Sequence, residues 1–357
     1  MRIALYDIDS KIPNFALMKL SSHFKSQGDE VSLQRNLQAV EADQYFASVV
    51  FHTKKSQKRI QQLQQLYGDQ ITIGGSGIDL QTTLADDVEC CFPDYALYNH
   101  THYALGFLTR GCNKRCHFCV VPPKEGALNP NAAIFDDFVP EGQKNVMLLD
   151  NNLLVSPNAN SLLEQMIQQE YRINFSQTLD IQYLNDDNYP LLKQVYSMNS
   201  RFTRRMIYFS CNNRKTADLF EKKREYIKGF GHNQVTIVIM YGFNTRLSED
   251  FAILKRMASL GVISFVQEYQ PTVGGSPSRT PEDYFDMDLD EVSAFRFRSN
   301  GQNGEKFFRY LNRLYQQQYG RYYLPMLQAT YRYNNKPRLQ YYLDRPHLFS
   351  RKMYHHE

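Results

Sequence analysis

Three cysteines fall within eight positions, in the run Gly106-Phe-Leu-Thr-Arg-Gly-Cys112-Asn-Lys-Arg-Cys116-His-Phe-Cys119-Val-Val-Pro-Pro-Lys-Glu-Gly126. Thiolates ligate metals, and three of them spaced C-x3-C-x2-C can wrap one cubane iron–sulfur cluster and hold three of its irons. The fourth iron then lacks a protein ligand and stays open to a substrate. The other chemistry open to this run is a zinc site, which takes four ligands and favours Cys-x2-Cys pairs, so His117 or Cys211 would have to complete it. The remaining cysteines are Cys90, Cys91 and Cys211. Six cysteines in 357 residues make no disulfide scaffold. Cys211 reads as a buried small apolar side chain, and a second metal site built from it with Cys90 and Cys91 is the weaker reading.

The elements that must position these thiols follow from periodicity. From residue 104 onward, apolar runs suited to buried strands alternate with helical stripes. The strands are expected at 104–109, 145–150, 172–177, 205–210, 234–240 and 262–267, and the helices at 158–170, 186–198, 214–229 and 246–260. The cysteine loop follows the first strand. Active sites of parallel barrels lie at the C-terminal ends of the strands, so polar residues should follow the other strands too. Residues 1–80 read as a doubly wound unit: strand 3–6, helix 14–26, strand 47–51, helix 54–67, strand 71–73, then Gly74-Gly75-Ser76-Gly77. The fold class is α/β. A Rossmann-like domain (1–80) and a linker (81–103) precede a partial (β/α)6 barrel (104–270). An extension (271–357), helical over 304–318, closes the chain.

The C-x3-C-x2-C run, with aromatic Phe118 just before the last cysteine, resembles the radical S-adenosylmethionine (SAM) enzymes over about residues 100–270. The resemblance implies a [4Fe-4S] cluster on Cys112, Cys116 and Cys119. Its open iron would bind the amino and carboxylate groups of SAM. Reductive cleavage would yield methionine and a 5′-deoxyadenosyl radical, which abstracts hydrogen from a substrate. Phe118 would lie near the adenine. An external flavodoxin- or ferredoxin-like protein would supply the electron. The first domain resembles the cobalamin-binding type that precedes many such barrels, with Gly74-Gly75 at its glycine turn and Pro93-Asp94-Tyr95 leading into the barrel. The Asp-x-His-x-x-Gly motif of a cobalt-ligating histidine does not occur around His52, in Val-Val-Phe-His-Thr-Lys, so a degenerate domain is expected.

The strand ends offer further candidates. Asp150-Asn151-Asn152 stands where the family often carries a Gly-Gly-Glu run that holds the SAM amino group. Carboxylate and amide oxygens accept from an ammonium, and the plainer reading is an Asx turn or helix cap. Gln177 and Asp180 resemble a Gln-x-Leu-Asp run at a barrel mouth, with Gln182 where relatives often have Arg. Ordinary loop capping is the alternative. Gly242 would let backbone approach the adenosine, and Asn244 can hydrogen-bond a ribose or base edge. Glu268 or Tyr269 could face substrate. Lys124-Glu125 either positions SAM and shields the cluster or is a solvated pair.

Composition sets the outer bounds. Hydrophobic residues make up 42% and charged residues 22%, which is the mix of a globular chain rather than a disordered one. No stretch approaches a transmembrane helix, and the start has no apolar leader, so the expected compartment is the cytoplasm. Residues 301–357 hold ten Lys+Arg against three Asp+Glu, a charge of +7, and the rest of the chain is at −3. Ten of the 25 tyrosines lie in this tail, interleaved with its cations. That composition suits RNA or single-stranded nucleic acid, or else Tyr rings packed over the barrel with Arg heads exposed. Three functions remain open: radical SAM chemistry on a nucleic acid or nucleotide, the same on a peptide or small metabolite, and a non-catalytic iron–sulfur or zinc RNA-binding protein.

Overall fold

The computed structural model describes residues 1–100, 102–231, 233–275, 281–331 and 344. The chain forms two compact units. Most of the first is Met1–Gln177 with Asn185–Arg205, and the second takes in Thr178–Leu184 and Met206–Gln270 with the helices that follow.

The first unit opens with β1 (Arg2–Asp7), α1 (Phe15–Ser26), β2 (Glu30–Gln34), β3 (Gln44–Ser48), α2 (Lys54–Tyr67) and β4 (Ile71–Gly74). The four strands are parallel in the order β2-β1-β3-β4. After Arg2 the central β1 is buried at every residue, as a parallel strand covered on both faces must be. Its alternation decides which helix covers which face. Ile3 and Leu5 pack with Leu17 and Phe24 of α1. Ala4 and Tyr6 pack with Ile60 and Leu63 of α2. Asn14 and Thr53 cap the two helices through their side-chain oxygens. The expected strand at 47–51 lies three residues earlier, because Val50 and Phe51 give their N–H groups to the Asp9 carboxylate instead of to a strand. The glycine turn is a close backbone approach: a Cβ on Gly75 would sit 2.3 Å from the Val49 carbonyl oxygen.

The chain continues through the short α3 (Asp86–Glu89) to β5 (Ala104–Gly106), α4 (Val121–Glu125), β6 (Asn145–Leu148), α5 (Ala159–Gln168), β7 (Arg172–Phe175), α6 (Asn188–Gln194) and β8 (Tyr196–Ser197). These strands form a second parallel sheet, β5-β6-β7-β8. Met18 of α1 shares one buried cluster with Leu105, Met147, Met198 and Phe202, so the two sheets of this unit meet in a common core.

The second unit holds β9 (Ile207–Ser210), α7 (Arg214–Lys222), α8 (Arg224–Gly229), β10 (Val235–Tyr241), α9 (Leu247–Ser259), β11 (Ile263–Glu268), α10 (Leu289–Ala294), α11 (Glu305–Tyr319) and α12 (Leu324–Tyr331). Its sheet is parallel in the order β11-β10-β9. All six strands expected after residue 104 are present. They are divided, however, between a four-stranded and a three-stranded sheet, and the short β8, not β9, pairs with β7. The helix expected over 214–229 breaks at Lys223, whose ammonium donates to the carbonyls of Ile181, Gln182 and Leu184. The protein is thus α/β with parallel sheets. Among the described residues no helix is long and apolar enough to cross a membrane.

Gly106 closes β5 immediately before the cysteine loop. A Cβ there would fall 2.4 Å from the ring of Phe138, which is itself buried. Gly106→Ala should therefore cost about 1–3 kcal/mol by overpacking, read as a lower midpoint in chemical denaturation. An unchanged midpoint would show that the Phe138 ring gives way.

Candidate functional site

The cysteine loop is rooted by one buried carboxylate. Asp150 follows β6, and its Oδ1 accepts from the Thr109 N–H at 2.6 Å and the Thr109 hydroxyl at 2.7 Å. Both of its oxygens lie 3.2 Å from the Leu108 N–H. Burial pushes this carboxyl up to about 6, against the pull of those donors. The loop is then pinched shut. Arg110 and Asn129 exchange backbone hydrogen bonds at 3.1 and 2.8 Å. Gly111 has φ +75, and a Cβ on it would lie 2.2 Å from the Ala127 carbonyl oxygen, so glycine is required where the two arms pass.

Within the loop, Cys112, Cys116 and Cys119 are all half-buried and free of disulfides. Backbone N–H groups point at two of the sulfurs, Lys114 at Cys112 and Val121 at Cys119, each at 3.4 Å. The Cys119 thiol is pushed up by burial first. Charge on Cys116, Cys112 and Glu125 adds to that shift and the Val121 N–H opposes it, so the thiols sit in each other's field. Among the described residues no three His, Cys, Asp or Glu side chains converge on a single-ion site. Three thiols from one loop, with N–H groups aimed at sulfur, are a donor set suited to an iron–sulfur cluster. Phe118 is half-buried in the same loop.

The loop ends in α4, where Pro122 and Pro123 fit the first turn. Glu125 folds back from it. Its Oε2 accepts from the Gly111 N–H at 2.9 Å and from Asn151 Nδ2 at 2.7 Å, while Oε1 lies 3.5 Å from the Arg110 guanidinium. Arg110 also pairs with Glu89 at 3.3 Å, and the Glu89 carboxylate lies 3.3 Å from Lys19 of α1. The structure thus brings Cys112, Cys116, Cys119, Phe118, Asp150 and Asn151 into one neighbourhood. Asn152 is buried and precedes a tight turn at Leu153–Val155. Gln177 is exposed at the end of the β7 segment. Asp180 caps the turn Ile181–Tyr183 through the Gln182 N–H.

Gly242 and Asn244 belong to the second unit. Gly242 has φ +77, and the space a Cβ would take is held by the Tyr310 hydroxyl, 2.5 Å away, so its close neighbour is α11. Asn244 is exposed, with φ 50. Asp250 of α9 organises this turn. It accepts from the Gly242 N–H at 3.2 Å, the Thr245 hydroxyl at 2.7 Å and the Tyr284 hydroxyl at 3.0 Å, and burial pushes it up to about 6. Sequence reasoning passed over Asp250, although an acid sharing a helix face with Leu247, Leu254 and Met257 was a readable signal. Glu268 forms an ion pair with Arg313, and Tyr269 packs on Phe243 at 4.6 Å between centroids. Cys211 is buried, and desolvation pushes its thiol up to about 12, as befits an inert core position. His52 bonds to the Gly77 carbonyl through Nδ1 at 3.0 Å.

Of the basic tail, the part up to residue 331 packs within the second unit. Tyr323 donates to Asp290 at 2.6 Å, and Tyr315 meets Phe285, Tyr319 and Tyr323. Arg332, Lys336 and Arg338 lie outside the described residues.

The two buried carboxyls give a pH signature. An acid whose folded value is raised favours folding most below its ordinary 3.8, and that contribution is lost as pH rises through about 6. Asp250→Asn cannot titrate. Thermal unfolding between pH 4 and 7 should show the wild type losing stability relative to this variant as pH rises. A difference constant with pH would mean that Asp250 is not raised.

No family model and no curated protein sequence matches the chain. Among solved structures, the chain is similar to SuiB of Streptococcus suis at 13% identity and a TM-score of 0.36, covering 61% of this chain and 47% of that one. It is similar to SuiB bound to S-adenosylmethionine at 12% identity and a TM-score of 0.37, covering 61% and 48%. The chain spans about half the length of these proteins.

Proposed function

We propose that this chain is a radical SAM enzyme that holds a [4Fe-4S] cluster on Cys112, Cys116 and Cys119. The observation that carries the reading is the loop itself: three half-buried thiols at C-x3-C-x2-C spacing, two of them met by backbone N–H groups. When bound, the cluster and SAM supply reductive sulfonium cleavage and hydrogen-atom abstraction from a substrate. The chain's residues have separable tasks. Asp150 roots the loop, and Gly111 lets its arms pass. Lys114 and Val121 N–H groups stabilise thiolate sulfur. Asn151 and Asn152 offer amide oxygens to the SAM ammonium. Phe118 borders the adenine, and Gln177 is assigned to a polar edge of the cofactor, while Gly242 serves the packing of α11.

In this reading residues 1–80 are a Rossmann-like, degenerate cobalamin-type domain, 104–270 a partial barrel, and the electron comes from a flavodoxin- or ferredoxin-like protein. The +7 charge of residues 301–357 favours a nucleic acid or nucleotide as substrate, with a peptide or small metabolite as the rival.

Anaerobic reconstitution with iron and sulfide tests the core of the proposal. The product should hold one oxygen-sensitive [4Fe-4S] cluster whose reduced EPR signal changes with SAM. Alanine at any of the three cysteines should abolish SAM cleavage, and Cys211→Ala should leave the cluster intact. Stoichiometric zinc without iron would overturn it. A second experiment addresses the substrate class. Changing Arg332, Lys336 and Arg338 together to Ala should weaken polynucleotide binding and flatten its salt dependence while leaving uncoupled SAM cleavage unaltered. No salt-dependent binding by the wild type would turn the substrate toward peptides or metabolites.

A further inference from the structure

We propose that Glu125 is a positioning residue that sets the orientation of Asn151 and thereby creates the acceptor for the ammonium of the bound cofactor; the inference rests on the radical SAM reading above. A carboxylate can only accept hydrogen bonds. With Glu125 Oε2 at 2.7 Å, Asn151 must present its NH2 group there, so its carbonyl oxygen is turned to the other side of the amide. The chemistry of the pair fixes the orientation, where an isolated asparagine could flip. Among the described residues no hydrogen bond occupies that oxygen. An ammonium, a donor without acceptors, is the group it suits. The neighbouring Asp150 does not serve in its place, because its oxygens are engaged by Leu108 and Thr109.

Glu125 is itself over-determined. The Gly111 N–H at 2.9 Å and the Arg110 guanidinium at 3.5 Å hold it from two further directions. Arg110 stacks over the Phe107 ring at 4.4 Å and is tied through Glu89 to Lys19, whose side chain is 10% exposed. Two cations and two anions alternate along this chain, from helix α1 to the cysteine loop. The carboxylate cannot turn without breaking contacts at both ends. One side chain therefore couples the segment that carries the thiols to the strand end that faces the cofactor.

The test uses full-length reconstituted protein and SAM itself as the probe. Wild type, Glu125→Ala, Glu125→Gln, Asn151→Ala and the Glu125→Ala/Asn151→Ala double variant are compared. The readouts are iron and sulfide per chain, SAM affinity by equilibrium dialysis, and the SAM-induced change in the EPR signal. Each single alanine variant should keep its cluster and lose about tenfold or more in SAM affinity, the range of a hydrogen bond to a charged group. The double variant should be no worse than the weaker single, since the two residues act as one unit. Glu125→Gln keeps the shape but offers an NH2 group that can pair with the Asn151 oxygen, so it should also weaken SAM binding and its EPR response. Unchanged affinity in Glu125→Gln and Glu125→Ala with intact clusters would overturn the proposal, as would losses that multiply in the double variant. Loss of the cluster in Glu125→Gln would overturn it too, by making Glu125 a loop anchor only. A wild type that binds no cluster or no SAM defeats the functional reading itself, which is a separate result.

Discussion

A carboxylate without water demands hydrogen-bond donors, and Asp150 finds its donors in Leu108 and Thr109, just beyond the short β5. That demand organises the first unit around the cysteine loop. β5 contributes three residues to its sheet, too few to fix the direction in which the loop departs. Asp150 fixes it from the adjacent strand. The loop then leaves at a set angle, passes through Gly111, and is caught on its far side by Glu125. The thiols are presented by a segment clamped at both ends, one clamp a buried carboxyl, the other a half-buried ion-paired network.

The second unit repeats the device with different parts. Asp250 reaches from α9 to the turn after β10 and holds Gly242 and Thr245. In each unit a desolvated acid defines the exit of a parallel strand, the place where sites form in folds of this kind. Burying an acid costs stability, and a loop that only had to connect two elements would not require it. The Tyr284 and Tyr310 side chains seal this second turn from α11 and the segment before α10, so Gly242 serves the packing of α11.

Much of this was legible in the sequence, and the failures have physical causes. Helix α2 runs over the expected 54–67, because its apolar stripe, Thr cap and terminal glycine all agree. β2 was missed because an edge strand reading Glu-Val-Ser-Leu-Gln carries only two apolar residues. The helix expected over 186–198 shortens to Asn188–Gln194, since its last turn is pulled into pairing with β7 as β8. Strand positions were readable because parallel strands are apolar on both faces. Their partition between two sheets was not, because pairing depends on loops whose hydrogen bonds carry no periodicity. At the site, the thiols announced themselves by spacing. The Asp150 bonds and the chain Lys19–Glu89–Arg110–Glu125 join residues up to 70 positions apart, and no local pattern encodes them.

The core shared through Met18 bears on how such a chain can be cut or recombined. Met18 belongs to a helix of the first sheet, yet it fills the cluster made by Leu105, Met147, Met198 and Phe202. Severing the chain near residue 100 would leave an apolar hollow on one fragment and a bare hydrophobic ridge on the other, each several kcal/mol worse off and inclined to aggregate. The amino-terminal sheet is therefore not a cassette to be clipped off by a protease or traded between proteins. A graft that respects the packing has to carry α1 together with β5 and β6, which makes the inheritable piece larger than either sheet alone.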